Sequence, residues 1–188
     1  MDIQFKDGQA VTLTQMLLAK EQRVKRQQEA IKEYQSPIIS LTLVIPGAIK
    51  KSSGTAFLFK QAIDAIHCHF SNHNIKIINE QYDESITGYE AIIVVDCEQN
   101  KLKEHCICIE ESCDLARLWD IDVISPETQK SLSRTQFTHQ PRLCLICQEN
   151  AKFCSRSKRH TTDEILSVIE NLVNNYIKNI KPISIIIK

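Results

Sequence analysis

An apolar run near residue 120 is interrupted by two aspartates, and this pattern strongly limits what the chain can form there. Residues 118–124 read LWDIDVI. The apolar members of the run suit a strand, whereas aspartate is disfavoured in strands. Because side chains alternate across a strand, Asp120 and Asp122 project from one face and the apolar residues between and around them project from the other. We therefore predict a strand with one face in the core and one acidic face.

Two carboxylates on one strand face are suited to divalent metal ions. The two positions lie roughly 6 to 7 Å apart along a strand, and two-metal phosphoryl-transfer sites hold ions about 4 Å apart. Asp120 and Asp122 therefore fit Mg²⁺-dependent nucleotidyl transfer, with Glu110 or its neighbour Glu111 as the third carboxylate. The alternative is an exposed strand edge with two solvated aspartates. Spacing alone leaves both interpretations open.

Length and composition indicate one globular domain over residues 1–188. Hydrophobic residues make up 43% of the chain and charged residues 24%, as in ordinary globular domains. The 23 basic and 23 acidic residues balance, so no global positive field exists to hold a nucleic acid. No signal segment or membrane-length apolar run is present, and we expect a cytoplasmic protein without a membrane partner. Its eight cysteines are then expected as thiols or metal ligands.

Apolar periodicity and capping residues predict three helices. The first covers residues 12–35, begins with a capping box and stops at Ser36-Pro37. The second has its apolar stripe over residues 59–70. The third runs from about Thr162 to Lys181-Pro182 and carries a strongly apolar stripe.

Strand patterns predict a mixed, mostly antiparallel sheet with the helices packed on it, which is an α+β fold. Within residues 102–111, Ile107 and Ile109 alternate with other residue types, and we predict a strand from His105 onward. A turn at Thr87-Gly88 joins two antiparallel strands. The strands on either side of this turn are predicted at 75–82 and 89–95. Further strands are predicted at 38–45 and 118–125, and the latter has a predicted hairpin partner at 129–134.

Four residues near the end of the chain have zinc-ligand spacing. The pattern Cys144-x2-Cys147-x6-Cys154-x5-His160 lies within a Cys/His-rich subregion, residues 141–160. A zinc ion held by four protein groups is structural rather than catalytic. The alternative is that the cysteines serve as small buried hydrophobes, and the spacing leaves this open.

Two other histidines invite a metal interpretation that we do not favour. His69 and His73 lie one helical turn apart, but they continue the apolar stripe of the second predicted helix. We interpret them as core or boundary residues rather than as ligands.

Several basic residues are candidate phosphate contacts. Lys50 lies in a loop leading to a helix N-terminus, where backbone N–H groups favour anions. Arg117 precedes the acidic strand and Arg134 ends its predicted hairpin partner, so both are placed at the rim of the metal site. Weaker candidates, for which a solvated face is the default, are Arg142, Arg156 and Arg159.

Five segments together resemble the citrate lyase holo-acyl-carrier-protein synthase family, and the resemblance spans nearly the whole chain. No single segment is as specific as the combination. They are PGAIK at 46–50, RLWDIDVI at 117–124, SR at 133–134, PRLCLIC at 141–147 and CSRSKRH at 154–160.

The resemblance implies a transferase with a nucleotidyltransferase-like core. Its donor would be 2'-(5''-triphosphoribosyl)-3'-dephospho-CoA, and its acceptor a serine on the acyl carrier protein, the gamma subunit, of citrate lyase. Asp120 and Asp122 would bind Mg²⁺, while Lys50, Arg117 and Arg134 would stabilise the departing diphosphate. One alternative is the same chemistry on the carrier protein of malonate decarboxylase. Another is a zinc-stabilised binding module without catalysis.

Overall fold

The computed structural model describes residues 3–137 and 140–180, which adopt an α+β fold. The chain divides into two compact units, Met1–Gln140 and Pro141–Lys188, and the Cys/His-rich subregion lies in the second. The first unit contains α1 (Leu13–Tyr34), β1 (Ile38–Leu43), α2 (Ser53–Asn72), β2 (Lys76–Ser85), β3 (Gly88–Asp96), α3 (Gln99–Glu110) and β4 (Trp119–Ile124), with 3-10 turns at Asp114–Leu118 and Arg134–Phe137. The second contains α4 (Ala151–Ser157) and α5 (Thr162–Ile180). The predicted α+β class is confirmed.

The four strands form one sheet in the order β2-β3-β1-β4, and all neighbouring strands are antiparallel. The predicted turn at Thr87-Gly88 joins β2 to β3. Gly88 has φ +120°, a conformation that side-chain-bearing residues rarely adopt. β4 is an edge strand, so the acidic residues that it carries lie at the margin of the sheet.

Helix α1 covers one face of the sheet, which we call the α1 face. The predicted capping box is confirmed, because the Thr12 and Gln15 side chains each accept from the other's backbone N–H. Near the end of α1, Ile31 packs into an apolar cluster on the sheet. The sheet members of this cluster are Ile38, Ile92, Val94 and Ile124.

Helix α2 covers the opposite face of the sheet. Phe59 of α2 stacks on Tyr89 of β3 with a ring-centroid distance of 5.4 Å. Burial of α2 follows a helical stripe of Leu58, Ala62, Ile66 and Phe70, and the core side of the sheet includes Ile39, Leu41, Ile93, Val95, Ile121 and Val123.

The strand predicted within residues 102–111 is wrong, because this segment is helix α3. The Glu98 side chain accepts from two N–H groups of the first turn and so starts a helix. Leu102, Cys106 and Ile109 are buried at helical spacing. The alternation of isoleucine with cysteine indicated a strand with one apolar face, but Cys106 is itself a core residue.

The hairpin partner predicted at residues 129–134 forms only in part. Residues 130–132 return antiparallel to the end of β4 through two backbone hydrogen bonds and one bridge, between Ile124 and Ser131, but they form no regular strand before the 3-10 turn at Arg134. The rest of the outer edge of β4 is covered by α3. Lys103 Nζ donates to the Ile121 carbonyl (3.2 Å), and the Ile121 N–H donates to Glu110 Oε1 (3.0 Å). These side chains satisfy edge groups that a further strand would have paired.

The role of Glu110 at this edge predicts a loss of stability. Glu110 is buried, so the E110A substitution leaves the Ile121 N–H without its acceptor and should lower the free energy of unfolding by about 2–4 kcal/mol. The matched E110Q variant keeps an oxygen acceptor, and its free energy of unfolding should fall by less than half as much. Urea unfolding followed by fluorescence of the buried Trp119, the single tryptophan, measures both. Equal losses in the two variants would contradict the assignment.

Candidate active site

Asp120 and Asp122 lie on the α1 face of β4 and are partly buried. Trp119, Ile121 and Val123 point to the opposite face and are at most 1% exposed. This alternation is the one that the LWDIDVI run predicts. The two carboxylates therefore share one side of the sheet, on its edge strand.

Hydroxyl groups surround this pair of carboxylates. The register with β1 places Asp120 opposite Thr42 and Asp122 opposite Ser40. The Ser131 hydroxyl, from the loop after β4, donates to Asp122 Oδ1 (2.8 Å). This contact orients one carboxylate and leaves its other oxygen for a ligand.

An ion-pair network on the same sheet face was missed by the sequence analysis. Arg23 Nη1 donates to Glu90 Oε1 (3.1 Å), and Arg26 Nη2 donates to Glu90 Oε2 (2.7 Å). From the same helix, Gln27 Nε2 donates to Ser40 Oγ (2.8 Å). Burial raises the pKa of Glu90, and the two guanidinium groups oppose this shift. Helix α1 thus brings two positive charges onto the face that carries the aspartates.

Glu90 lies level with Asp120 across the sheet. The register pairs Leu41 with Ala91, and continuing it by one residue sets Glu90 beside Thr42, which faces Asp120. With roughly 5 Å between neighbouring strands, the two Cα atoms lie about 10 Å apart. A signal was present, because Glu90 interrupts an apolar strand much as the aspartates interrupt theirs.

Two of the predicted phosphate contacts lie at the end of the sheet where β1 ends and β4 begins. Lys50 Nζ donates to a backbone carbonyl just beyond β1 (2.6 Å), and burial lowers the pKa of this ammonium. Arg117 lies in the 3-10 turn before β4, where the Leu118 carbonyl accepts from the Val44 N–H (2.9 Å). Both residues are therefore at the end of the sheet nearest Asp120.

The helix N-terminus that follows Lys50 does not present free N–H groups as the sequence had suggested. The Ser53 N–H donates to Asp7 Oδ1 (3.1 Å), and the Gly54 N–H donates to the Gln4 carbonyl (2.7 Å). The hydrogen bond from Ser53 lowers the pKa of Asp7. Residues before α1 thus occupy the anion-favouring start of α2, and any phosphate contact by Lys50 has to come from its side chain.

Arg134 and Glu110 interact with each other rather than with the aspartate pair. Arg134 Nη2 lies 3.5 Å from Glu110 Oε2 and 3.0 Å from Glu111 Oε1. In the described part of the chain, Asp120, Asp122 and Glu110 are not among the groups whose ligand atoms converge within 4.8 Å. The predicted third carboxylate is thus engaged at the β4 edge.

In the second unit, the four predicted zinc ligands converge. The ligand atoms of Cys144, Cys147, Cys154 and His160 all lie within 4.8 Å of one another. Cys147 Sγ is 3.4 Å from Cys154 Sγ and 3.2 Å from His160 Nε2. With Zn–S bonds of about 2.3 Å, tetrahedral sulfur ligands lie roughly 3.8 Å apart. A small outward shift therefore fits these donors to zinc.

Local structure explains how residues from separate turns meet at this cluster. An isolated bridge joins Leu143 to Asn150, and the Asn150 side chain caps α4, which carries Cys154. Burial would raise the pKa of Cys144, but hydrogen bonds from backbone N–H groups, first that of Cys147, leave this pKa lowered. Backbone donors to the sulfur favour the thiolate, the form that binds metal.

The three remaining basic candidates also lie in the second unit. Arg156 and Arg159 are exposed, and Arg142 is partly buried. The exposure of Arg156 and Arg159 agrees with the default expectation that they lie on a solvated face. A contact with substrate stays a prediction for all three arginines.

Comparison with known proteins assigns the chain to a family. Residues 11–176 match the family described as "Apo-citrate lyase phosphoribosyl-dephospho-CoA transferase". The chain belongs to this family. The match includes β4 with both aspartates and the whole cysteine cluster, and it confirms the resemblance drawn from the sequence segments.

Individual members of the family match over most of the chain. "Protein CitXG" of Haemophilus influenzae is 37% identical over 170 residues, which are 90% of this chain and 36% of that protein. This chain thus spans about a third of the Haemophilus protein. The "Apo-citrate lyase phosphoribosyl-dephospho-CoA transferase" of Escherichia coli O1:K1 / APEC is 33% identical over 172 residues, which are 92% of this chain and 93% of that protein. The protein of the same description from Shigella boydii serotype 18 is 33% identical over 166 residues, covering 88% and 90% of the two chains.

Within residues 3–137 and 140–180, no helix combines the length and the apolar character that crossing a bilayer demands.

Proposed function

We propose that this protein transfers the prosthetic group of 2'-(5''-triphosphoribosyl)-3'-dephospho-CoA to a serine of the apo-acyl carrier protein, the gamma subunit, of citrate lyase. The observation that carries this proposal is family membership over residues 11–176. Relatives that are named for this reaction match nearly their full length. The acidic face of β4 supplies a place for the chemistry.

The proposed reaction is a phosphoryl-group substitution. The serine Oγ forms a bond to the α-phosphorus of the donor, and the bond from that phosphorus to the oxygen of diphosphate breaks. The hydroxyl proton passes to water, and a phosphodiester remains on the carrier. Such a reaction depends mainly on positioning and charge stabilisation, so the scheme requires no protein base.

Asp120 and Asp122 are the residues that would hold Mg²⁺. Both are oxygen donors on one partly buried face, which suits a hard cation that binds through one or two carboxylates and retains water ligands. When bound, the ion supplies Lewis acidity and neutralises phosphate charge. Ser131 orients Asp122. Glu110 is the less suitable third ligand because its carboxylate already binds the β4 edge and Arg134.

Lys50 and Arg117 are assigned to the diphosphate because they lie at the sheet end nearest Asp120. Arg134 would join them by exchanging the Glu111 carboxylate for a phosphate oxygen, since both accept the guanidinium fork in the same way. A role in binding the donor stays a prediction for Arg142, Arg156 and Arg159.

We assign a structural zinc ion to the cysteine cluster of the second unit. Its four protein ligands would fill a tetrahedral site completely and leave no position for substrate. None of the eight cysteines forms a disulfide bond, as is usual for proteins of the reducing cytoplasm, where we place the reaction.

Mass spectrometry of the carrier protein tests the proposed function. Apo-carrier incubated with this protein, the donor and Mg²⁺ should gain the mass of the prosthetic group while diphosphate is released. The carriers of citrate lyase and of malonate decarboxylase are tested side by side, and modification of the second in preference to the first would reassign the acceptor. An unmodified carrier and no diphosphate would favour a binding module without catalysis.

A further inference from the structure

Three histidines from two helices meet on the side of the sheet opposite the aspartates. His69 and His73 lie on successive turns at the end of α2, and His105 lies in α3. One ring nitrogen from each lies within 4.8 Å of the other two. A strand was predicted from His105 onward, and His69 and His73 were interpreted as core or boundary residues, but His73 is exposed and His105 lies in a helix beside it.

The ring nitrogens of the three histidines lie close enough together to share one ion. His69 Nε2 is 3.0 Å from His105 Nδ1. His73 Nδ1 lies 2.8 Å from the His69 carbonyl, so it donates its proton there and Nε2 carries the free lone pair. A hydrogen bond from one ring nitrogen that sets the tautomer of the other is usual in histidine metal ligands.

The three imidazole rings pack against one another. The His69 and His73 rings stack with centroids 4.1 Å apart, and the His105 ring stands edge-on to both at 5.2 and 5.1 Å.

We propose that His69, His73 and His105 form a binding site for a borderline transition-metal ion such as Zn²⁺ or Ni²⁺, which joins the end of α2 to α3. Imidazole nitrogen is a preferred ligand for these ions. With Zn–N bonds of about 2.0–2.1 Å, tetrahedral ligand nitrogens lie roughly 3.3 Å apart. The observed 3.0 Å separation of His69 Nε2 from His105 Nδ1 needs only a small outward shift. Three protein ligands leave the fourth position to water.

The consequence of such a site would be a fixed position for α3. This helix supplies Lys103 and Glu110 to the outer edge of β4, the strand that carries the aspartates. An ion joining α3 to α2 would hold these contacts in place without itself touching the acidic face. The proposal does not depend on the proposed function, and it is tested by metal binding alone.

Isothermal titration with Zn²⁺ on the full chain tests the proposal by counting binding equivalents. The H73A and H105A substitutions should each remove one equivalent or weaken its binding at least tenfold relative to the wild type. The matched control is H67A, because His67 lies on the same helix but contacts Glu80 instead. H67A should bind Zn²⁺ as the wild type does. The same count in H73A and H105A as in the wild type, or an equal loss in H67A, would overturn the proposal.

A second measurement needs no substitution and so does not depend on how the variants fold. In a ¹⁵N-histidine-labelled protein, Zn²⁺ should shift the ring nitrogen signals of His69, His73 and His105 but not those of His67. The cysteine cluster contributes its own equivalent and shifts His160. If the ring nitrogen signals of all three histidines stay unshifted at saturating Zn²⁺, the site is ruled out.

Discussion

Replacing Asp120 by asparagine is expected to lower the rate of prosthetic-group transfer at least about a thousandfold, which corresponds to roughly 4 kcal/mol of transition-state stabilisation. The amide has nearly the size of the carboxylate but carries no charge, so it holds Mg²⁺ poorly. Because Asp120 is partly exposed at a sheet edge, the fold should persist. Mass spectrometry of the carrier measures transfer, and thermal unfolding measures the fold.

The control for this prediction is D96N. Asp96 lies on β3 of the same sheet, but it is exposed at the far end of this strand, and the D96N variant should keep wild-type activity. D122N should behave as D120N does. Transfer retained within tenfold in D120N, with Mg²⁺ still required, would show that the ion is held elsewhere.

Replacing Cys147 by serine should remove one equivalent of bound zinc and unfold much of the second unit. Cys147 contacts both Cys154 and His160, so its loss removes the central ligand. Structural zinc contributes on the order of 10 kcal/mol to the folding of small metal-dependent units. We expect rapid proteolysis within residues 141–180, measured together with zinc content by elemental analysis.

Cys108 provides the matched control, because it is an exposed free thiol on α3 outside the cluster. The C108S variant should keep its zinc and resist proteolysis as the wild type does. Two results together would contradict this prediction: purified wild-type protein that contains no zinc, and a C147S variant that resists proteolysis as well as the wild type does. The cysteines would then serve as small buried hydrophobic residues.

Local patterns predicted most of the first unit. The capping box of α1, the stripe of α2, the β2–β3 turn and the alternation of β4 each depend on residues close in sequence, and each is confirmed. The exceptions share a cause. Segment 102–111 alternates locally like a strand, but Cys106 is a core residue of a helix. Segment 129–134 pairs with β4 only over residues 130–132, because side chains of α3 occupy the rest of that edge.

The active-site surroundings could not be read from local patterns. Arg23 and Glu90 are 67 residues apart in the sequence and meet only because α1 crosses the sheet beside β3. Glu90 reaches the level of Asp120 through the register of two intervening strand pairs. A charged residue in a strand signals that a partner exists but does not say which residue it is.

Residue order alone was therefore sufficient for the acidic strand, the metal-ligand spacing of the cysteines and the family of the protein. The first two are encoded in single short segments, and the third in a combination of such segments. The folded chain was needed to show that α3 occupies the β4 edge, that Glu110 and Arg134 bind each other there, and that three histidines converge. These contacts join residues distant in sequence, and their formation depends on which surfaces the packing of helices and strands leaves adjacent.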